Sequence, residues 1–319
     1  MRIRDGVARL LEHTATAVED AESDYPRIVG TTGEGRPFEI IADIVVGADG
    51  SGSIARIPVV GAHGEHFREY PFAWFGVLLE APPSSDQLIY LRSEDGFVLI
   101  STRDKNVQRM YFQCDPSRDT SAVSDDEIWR KLQAGVSETE LVRGPIFRKD
   151  VLRFRSFVAQ DLRKGRVFLM GDAAHSVPPT GAKGMNLAFS DVLWLSQALR
   201  SFFATGPEDL MRAYPENALL RIWNAQHFSY WMTSVLHITP DATEFHKQRG
   251  PASCRCSRTL VTYSSYSPEV MSDGTRESTT KTNRSMVGGR RSSQDKKPCN
   301  RGIFLVSPEG FELWLSDIG

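Results

Sequence analysis

Hydrophobic and polar positions follow three different patterns along the chain, and each predicts a different element. Two short unbroken apolar runs, Ile44-Val45-Val46 and Val167-Phe168-Leu169-Met170, have the form of strands covered on both faces of an α/β sheet. Each run stops at glycine and an acid, Gly47-Ala48-Asp49-Gly50 in the first case and Gly171-Asp172 in the second. From about Tyr70 to Asp115 the period changes to two, in Trp74–Leu79, Gln87–Arg92, Phe97–Arg103 and Val107–Gln113. Ser93-Glu94-Asp95-Gly96 and Asp104-Lys105-Asn106 have turn composition, so these segments predict an antiparallel sheet inserted between the two apolar strands. The third pattern is helical: Ala188, Val192, Leu195, Leu199 and Phe202 form one stripe, which predicts a long helix from about Gly184 with one face on a core.

Weaker signals fill in the remainder. Val7, Leu10, Leu11 and Ala15 are spaced for a helix over residues 1 to about 20, and Arg36 to Ile41 starts a strand. A further helix starts near Ser51 to Arg56. Ser124 with Glu127 makes a capping box for a short helix through Trp129 and Leu132. The chain returns to the first sheet around Val151 to Phe157. Leu210 to Leu236 reads as one or two helices whose aromatics, Trp223, Phe228, Tyr230 and Trp231, belong to a core or a subunit contact, the latter as in a homodimer. From about His246 the composition turns to Ser, Thr, Arg, Lys and Gly, which predicts a disordered tail without assigned function. The abrupt change there suggests a misread exon or reading frame.

The fold class expected is therefore α/β (α+β): an incomplete Rossmann-like domain with an inserted antiparallel-sheet domain. Its parts are residues 1–57, the inserted sheet 58–154, the returning part 155–205, a helical region 206–245 and the tail 246–319. The domain is incomplete because a dinucleotide fold opens with a strand, a GxGxxG turn and a helix, and no GxGxxG occurs in the sequence. The chain reads as one that lacks its natural beginning.

Composition narrows the function. With 38 basic against 40 acidic residues and a net charge of −2, nothing favours nucleic acid or a membrane surface as a partner. Cys114, Cys254, Cys256 and Cys299 lack paired metal spacing, so no metal is expected and a reducing compartment is. No signal core and no long apolar stretch is present in the sequence, which makes the cytoplasm the expected location.

Both acidic turns have a plain reading and a chemical one. Asp after a strand, and Asp-Gly above all, is a turn former. A carboxylate just past a strand's carboxyl end can also accept hydrogen bonds from the hydroxyls of a sugar or ribityl chain. Pro178-Pro179 fixes the backbone that follows, Gly181 and Gly184 allow main chain to approach a flat ligand, and the amino end of the next helix suits an anionic group. On the inserted sheet, Ser101 and Arg103 are two apart, as are Arg109 and Tyr111. A hairpin closed at Asp104-Lys105-Asn106 would set Ser101 about opposite Arg109. Such a face is either solvated or a carboxylate pocket, since Arg offers a planar fork and hydroxyls complete an anion's hydrogen bonds.

GDAAHSVPPTGAKGMNLAFSD resembles the second flavin motif of the class A flavoprotein monooxygenases, and ADIVVGADGSGSIAR resembles their DG motif. LIYLRSEDGFVLISTRDKNVQRMY is similar to the substrate sheet of the members that hydroxylate 4-hydroxybenzoate, and the likeness runs from about the start of the chain to about Phe245. The resemblance implies FAD bound through Asp49, Gly50, Asp172, Thr180, Gly181, Ala182, Lys183, Gly184, Met185 and Asn186. It implies a substrate carboxylate held by Ser101, Arg103 and Tyr111, with Tyr90 and the carbonyl of Pro179 as the catalytic pair beside the phenol oxygen. Arg56, Arg109 and Arg155 would belong to the nucleotide-handling surface or to the flavin's moving region, although isolated arginines are usually solvated. The reaction implied uses NADPH (or NADH) and O2 to convert 4-hydroxybenzoate to 3,4-dihydroxybenzoate. The family's second relay tyrosine and its relay histidine have no counterpart here, and His63 and His175 do not stand in for them. Two other readings remain: a catalytically inactive fragment or binding module, and a hydroxylase of a different phenolic acid.

Overall fold

The computed structural model describes residues 10–61, 64–86, 88–93, 96–136, 140–246, 248, 302–307 and 310–312. The chain divides into two compact units, Met1–Tyr70 with Arg153–Thr233, and Pro71–Leu152 with Ser234–Gly319.

The first unit opens with an antiparallel meander, β1 (His13–Glu19), β2 (Arg27–Thr32) and β3 (Pro37–Ile41). The helix expected over residues 1 to 20 is therefore a strand from His13 onward; Val7 lies outside the described residues, and Leu10 and Leu11 are exposed. Thr14, Thr16 and Val18 put β-branched residues at alternate positions. Pairing with β2 satisfies the backbone, and Arg27 ties the meander by salt bridges to Glu19, Asp20 and Glu39. Next come β4 (Val45–Gly47) and the short α1 (Arg56–Val60).

β5 (Glu65–Glu80) leads into the second unit, which continues through β6 (Leu88–Ser93), β7 (Gly96–Asp104) and β8 (Val107–Cys114). All pair antiparallel, in the order β5-β8-β7-β6. Strand alternation sorts the side chains. Phe75, Val77, Leu79, Ile89, Leu91, Val98, Ile100, Met110 and Phe112 form a core with Ile128, Trp129 and Leu132 of α2 (Asp125–Gly135). Ser124 Oγ caps that helix by accepting from Glu127 N at 3.2 Å. β9 (Ile146–Ala159) returns the chain to the first unit.

There β10 (Arg163–Lys164), β11 (Val167–Leu169) and β12 (His175–Ser176) precede two helices, α3 (Gly184–Thr205) and α4 (Asp209–Leu236). β11 lies between β10 and β4, antiparallel to the first and parallel to the second. The core includes Val45, Val167, Phe168, Leu169, Leu195 and Ala198, with Met211, Tyr214, Ala218 and Ile222 of α4, and α4 belongs to the first unit up to Thr233. No helix among the described residues is long and apolar enough to cross a membrane.

Two strands occur where a disordered tail was expected. β13 (Gly302–Ser307) pairs antiparallel with β6 and with β14 (Gly310–Glu312). The short apolar run Ile303-Phe304-Leu305-Val306 supplies strand propensity that the surrounding polar composition masks.

Candidate functional site

In the first unit, the parallel pairing of Val45 with Val167 and Gly47 with Leu169 delivers both acidic turns to the same end of adjacent strands. Open α/β sheets bind ligands at that end. Gly47 permits this closeness: a Cβ there would lie 2.5 Å from Ala55 Cβ. Asp49 Oδ2 accepts from Ile54 N at 2.8 Å and Ala55 N at 3.4 Å, so it organises its own turn as a turn former does. Gly50 takes φ +80°, a backbone that suits glycine.

Arg56 connects the two turns. Its guanidinium donates to Ser51 O (2.8 Å) beside the first and to Ala173 O (3.1 Å) in the second, and it pairs with Glu65 at 2.7 Å. It also lies 4.5 Å from the centre of the Phe157 ring. Arg56 thereby ties the two motifs together; Arg155 is exposed on β9. Asp172 is exposed in the turn Gly171–Ala173.

The loop before α3 is locked from α4. The Thr180 hydroxyl, fully buried, accepts from Thr233 Oγ1 at 3.1 Å, and a Cβ on Gly181 would meet Ser229 Oγ at 2.3 Å. Gly181 is thus needed for helix packing. Pro179 is half-buried in the same turn, Ala182 adopts a left-handed φ of 49°, and Lys183 Nζ lies 5.3 Å over the Phe228 ring. The amino end of α3 from Gly184 has no side-chain cap and no acid in its first turn, with Met185 and Asn186 exposed. Uncapped amides and the helix dipole together suit an anion.

The buried stripe of α3 differs from the expected one. Leu187, Asp191, Leu195 and Ala198 are buried, Leu199 and Phe202 pack partly against the core, and Val192 is exposed. Asp191 Oδ2 accepts from Gly171 N at 3.0 Å and lies 2.7 Å from His175 Nε2, while Arg221 Nη2 lies 3.8 Å from Oδ1. A buried carboxylate thereby fixes the peptide that begins the second acidic turn. The sequence carried a signal for it, an acid four residues from both Leu187 and Leu195 on an apolar face.

In the second unit, the face opposite the core mixes buried aromatic and aliphatic side chains, Trp74, Phe97 and Leu99 among them, with polar ones. Tyr90 pairs across to Leu99 and Leu99 to Tyr111, while Ser101 stands opposite Arg109 as the hairpin arithmetic required. The ladder is irregular between Thr102 and Asp104, so alternation alone does not direct Arg103; this residue is exposed, yet its charge acts on Tyr111. Arg109, expected on a nucleotide-handling surface, sits beside Ser101 and Tyr111, its guanidinium 4.8 Å over the Tyr111 ring. Sequence reasoning missed three neighbours. Trp74 Nε1 donates to His237 Nε2 at 2.7 Å, and the His237 ring stacks on Phe72 and Phe97 at 4.5 and 4.7 Å. Asp150 pairs with Arg109 at 3.4 Å.

Burial pushes the Tyr90 phenol up to about 12, with the neighbouring Tyr111 adding to the rise. Tyr90 is consequently a neutral O–H donor throughout the neutral range. The sign for stability is fixed: an unfolded tyrosine ionises near pH 10 while folded Tyr90 does not, so stability is complete below about pH 10 and is lost as pH rises toward 12. Tyr90→Phe is expected to flatten that part of the urea-midpoint profile against pH; an unchanged slope would contradict the assignment.

Residues 3–229 match the family model described as FAD binding domain. The p-hydroxybenzoate hydroxylase of Acinetobacter baylyi is 43% identical over 218 residues, 67% of this chain and 54% of that protein. A probable NADH-specific resorcinol 4-hydroxylase of Rhodococcus jostii is 26% identical over 208 residues, 63% of this chain and 38% of that protein. The chain thus spans about half or less of the length of these relatives. Among solved structures, p-nitrophenol 4-monooxygenase from Pseudomonas putida has the same fold, with a TM-score of 0.61 at 18% identity over 79% of this chain and 66% of that one. The chain belongs to the FAD-binding-domain family.

Proposed function

We propose that the chain carries the flavin and substrate sites of an FAD-dependent monooxygenase that hydroxylates 4-hydroxybenzoate to 3,4-dihydroxybenzoate with NADPH or NADH and O2. The observation that carries this reading is the register that sets Tyr90, Ser101, Arg109 and Tyr111 on one sheet face, near the charge of Arg103. Support for the cofactor comes from the two strand-end turns tied by Arg56 and from the uncapped amino end of α3. When bound, FAD supplies the redox chemistry that activates O2.

The chain's own residues bind and orient. Arg103 and Ser101 hold the substrate carboxylate, Tyr111 completes its hydrogen bonds, and Tyr90 donates to the phenol oxygen, favouring the phenolate whose ortho carbon is electron-rich. Asp49 and Asp172 accept from ribityl hydroxyls, and the loop Thr180 to Asn186 offers amides to the flavin's polar edge. A homodimer built on exposed Trp223 and Tyr230, and a cytoplasmic location, belong to the same proposal.

The test is purification of the full chain with added FAD. Retained flavin absorbance and NAD(P)H oxidation stimulated by 4-hydroxybenzoate are the expected results. Absence of flavin with retained 4-hydroxybenzoate binding would leave a binding module instead, and preference for another phenolic acid would reassign the substrate.

A further inference from the structure

Asp150 places a carboxylate on the sheet face that carries Arg109 and Tyr111. It comes from β9, and its Oδ2 lies 3.4 Å from Arg109 Nη2 and 3.6 Å from Arg148 Nε. Its Oδ1 is buried and has no hydrogen-bond partner. The space it occupies exists because residue 76 is glycine: a Cβ there would lie 2.4 Å from Asp150 Oδ1 and 2.7 Å from Tyr111 Cε1. Asp150, Arg109 and Tyr111 therefore form one packed group, with the guanidinium over the phenol ring and paired to the carboxylate.

We propose that Asp150 is a specificity-determining residue that neutralises Arg109, so that an anionic substrate group is steered to Arg103 and Ser101. This rests on the reading of the face as a phenolic-acid site. The physical basis is charge: Arg109 without Asp150 would be a second anion-binding guanidinium two residues from Tyr111, and a substrate carboxylate would have two competing positions. With Asp150 present, Arg109 is already paired and competes less for the anion, so the orientation toward Arg103 and Ser101 is favoured. Asp150 acts through Arg109 and is a positioning residue.

The test uses the full chain and two ligands of the same shape, 4-hydroxybenzoate and the neutral 4-hydroxybenzamide, with Kd measured by calorimetry. Asp150→Asn is expected to tighten the anion about fivefold or more, from the Coulomb energy of one charge at this range, and to leave the amide unchanged. Arg109→Ala added to Asp150→Asn should abolish the gain. Equal changes for both ligands, or none, would overturn the inference. A second readout does not depend on ligand. Tyr111 is held above its ordinary value first by burial, with Asp150 raising it and Arg109 and Arg103 lowering it; Arg148 on β9 and Tyr90 on β6 are the other titratable groups nearby. Absorbance at alkaline pH, read as the difference from Tyr111→Phe, should show Tyr111 ionising at lower pH in Asp150→Asn, and in Asp150→Ala should the first variant fold poorly. An unmoved titration overturns the charge assignment. A wild-type chain that binds neither ligand, with the titration moved as stated, refutes the phenolic-acid reading and leaves the neutralisation of Arg109 standing.

Discussion

Asp191→Ala is expected to destabilise the chain by about 2–5 kcal/mol, since two buried donors lose their acceptor at roughly 1–3 kcal/mol each. The residue is fully buried on α3 and takes hydrogen bonds from Gly171 N and the His175 ring, with Arg221 close by. Alanine leaves a backbone donor and a buried imidazole with no acceptor, and both costs add to that of the cavity. Asp191→Asn keeps an oxygen facing Gly171 N and should lose less. Urea midpoints of the two variants check this order. A loss below about 1 kcal/mol for alanine would mean that water replaces the carboxylate as acceptor, and that the second acidic turn does not depend on it.

In an active preparation, Arg103→Ala should raise the KM for 4-hydroxybenzoate by about 10- to 100-fold, the range of one charge-assisted hydrogen-bonded contact. The lower end is favoured because Arg103 is exposed and solvent screens its charge. The kcat should fall less, since a carboxylate anchor acts in ground and transition states alike. The KM for 4-hydroxybenzamide should stay near its original value. An unchanged KM for the acid would remove Arg103 from the site.

The sequence made some of this legible because the deciding interactions are local. Val45 and Val167 sit in short apolar runs closed by glycine and acid, so strand, turn and ligand end could all be read from a few residues. The opposition of Ser101 and Arg109 was read from a turn over Asp104-Lys105-Asn106; the structure reaches the same pairing with Asp104 opposite Val107 and an irregularity between Thr102 and Asp104. Where distant partners decide, the reading failed. His13 to Glu19 became a strand because β2 pairs with it, and the phase of α3 moved because Asp191 found His175 and Gly171 N inside the fold. Asp150 meets Arg109 across 41 positions, and His237 meets Trp74 across 163; no periodicity reports on either. For Ile303 to Val306, composition of the whole tail outweighed a short run that pairs with β6.

Arg56 and Ala173 are 117 positions apart, and the intervening Pro71–Leu152 belongs to the other unit. The guanidinium closes that gap without using any residue of the inserted sheet. The insertion can therefore be exchanged for one with a different lining while the same paired loops are retained.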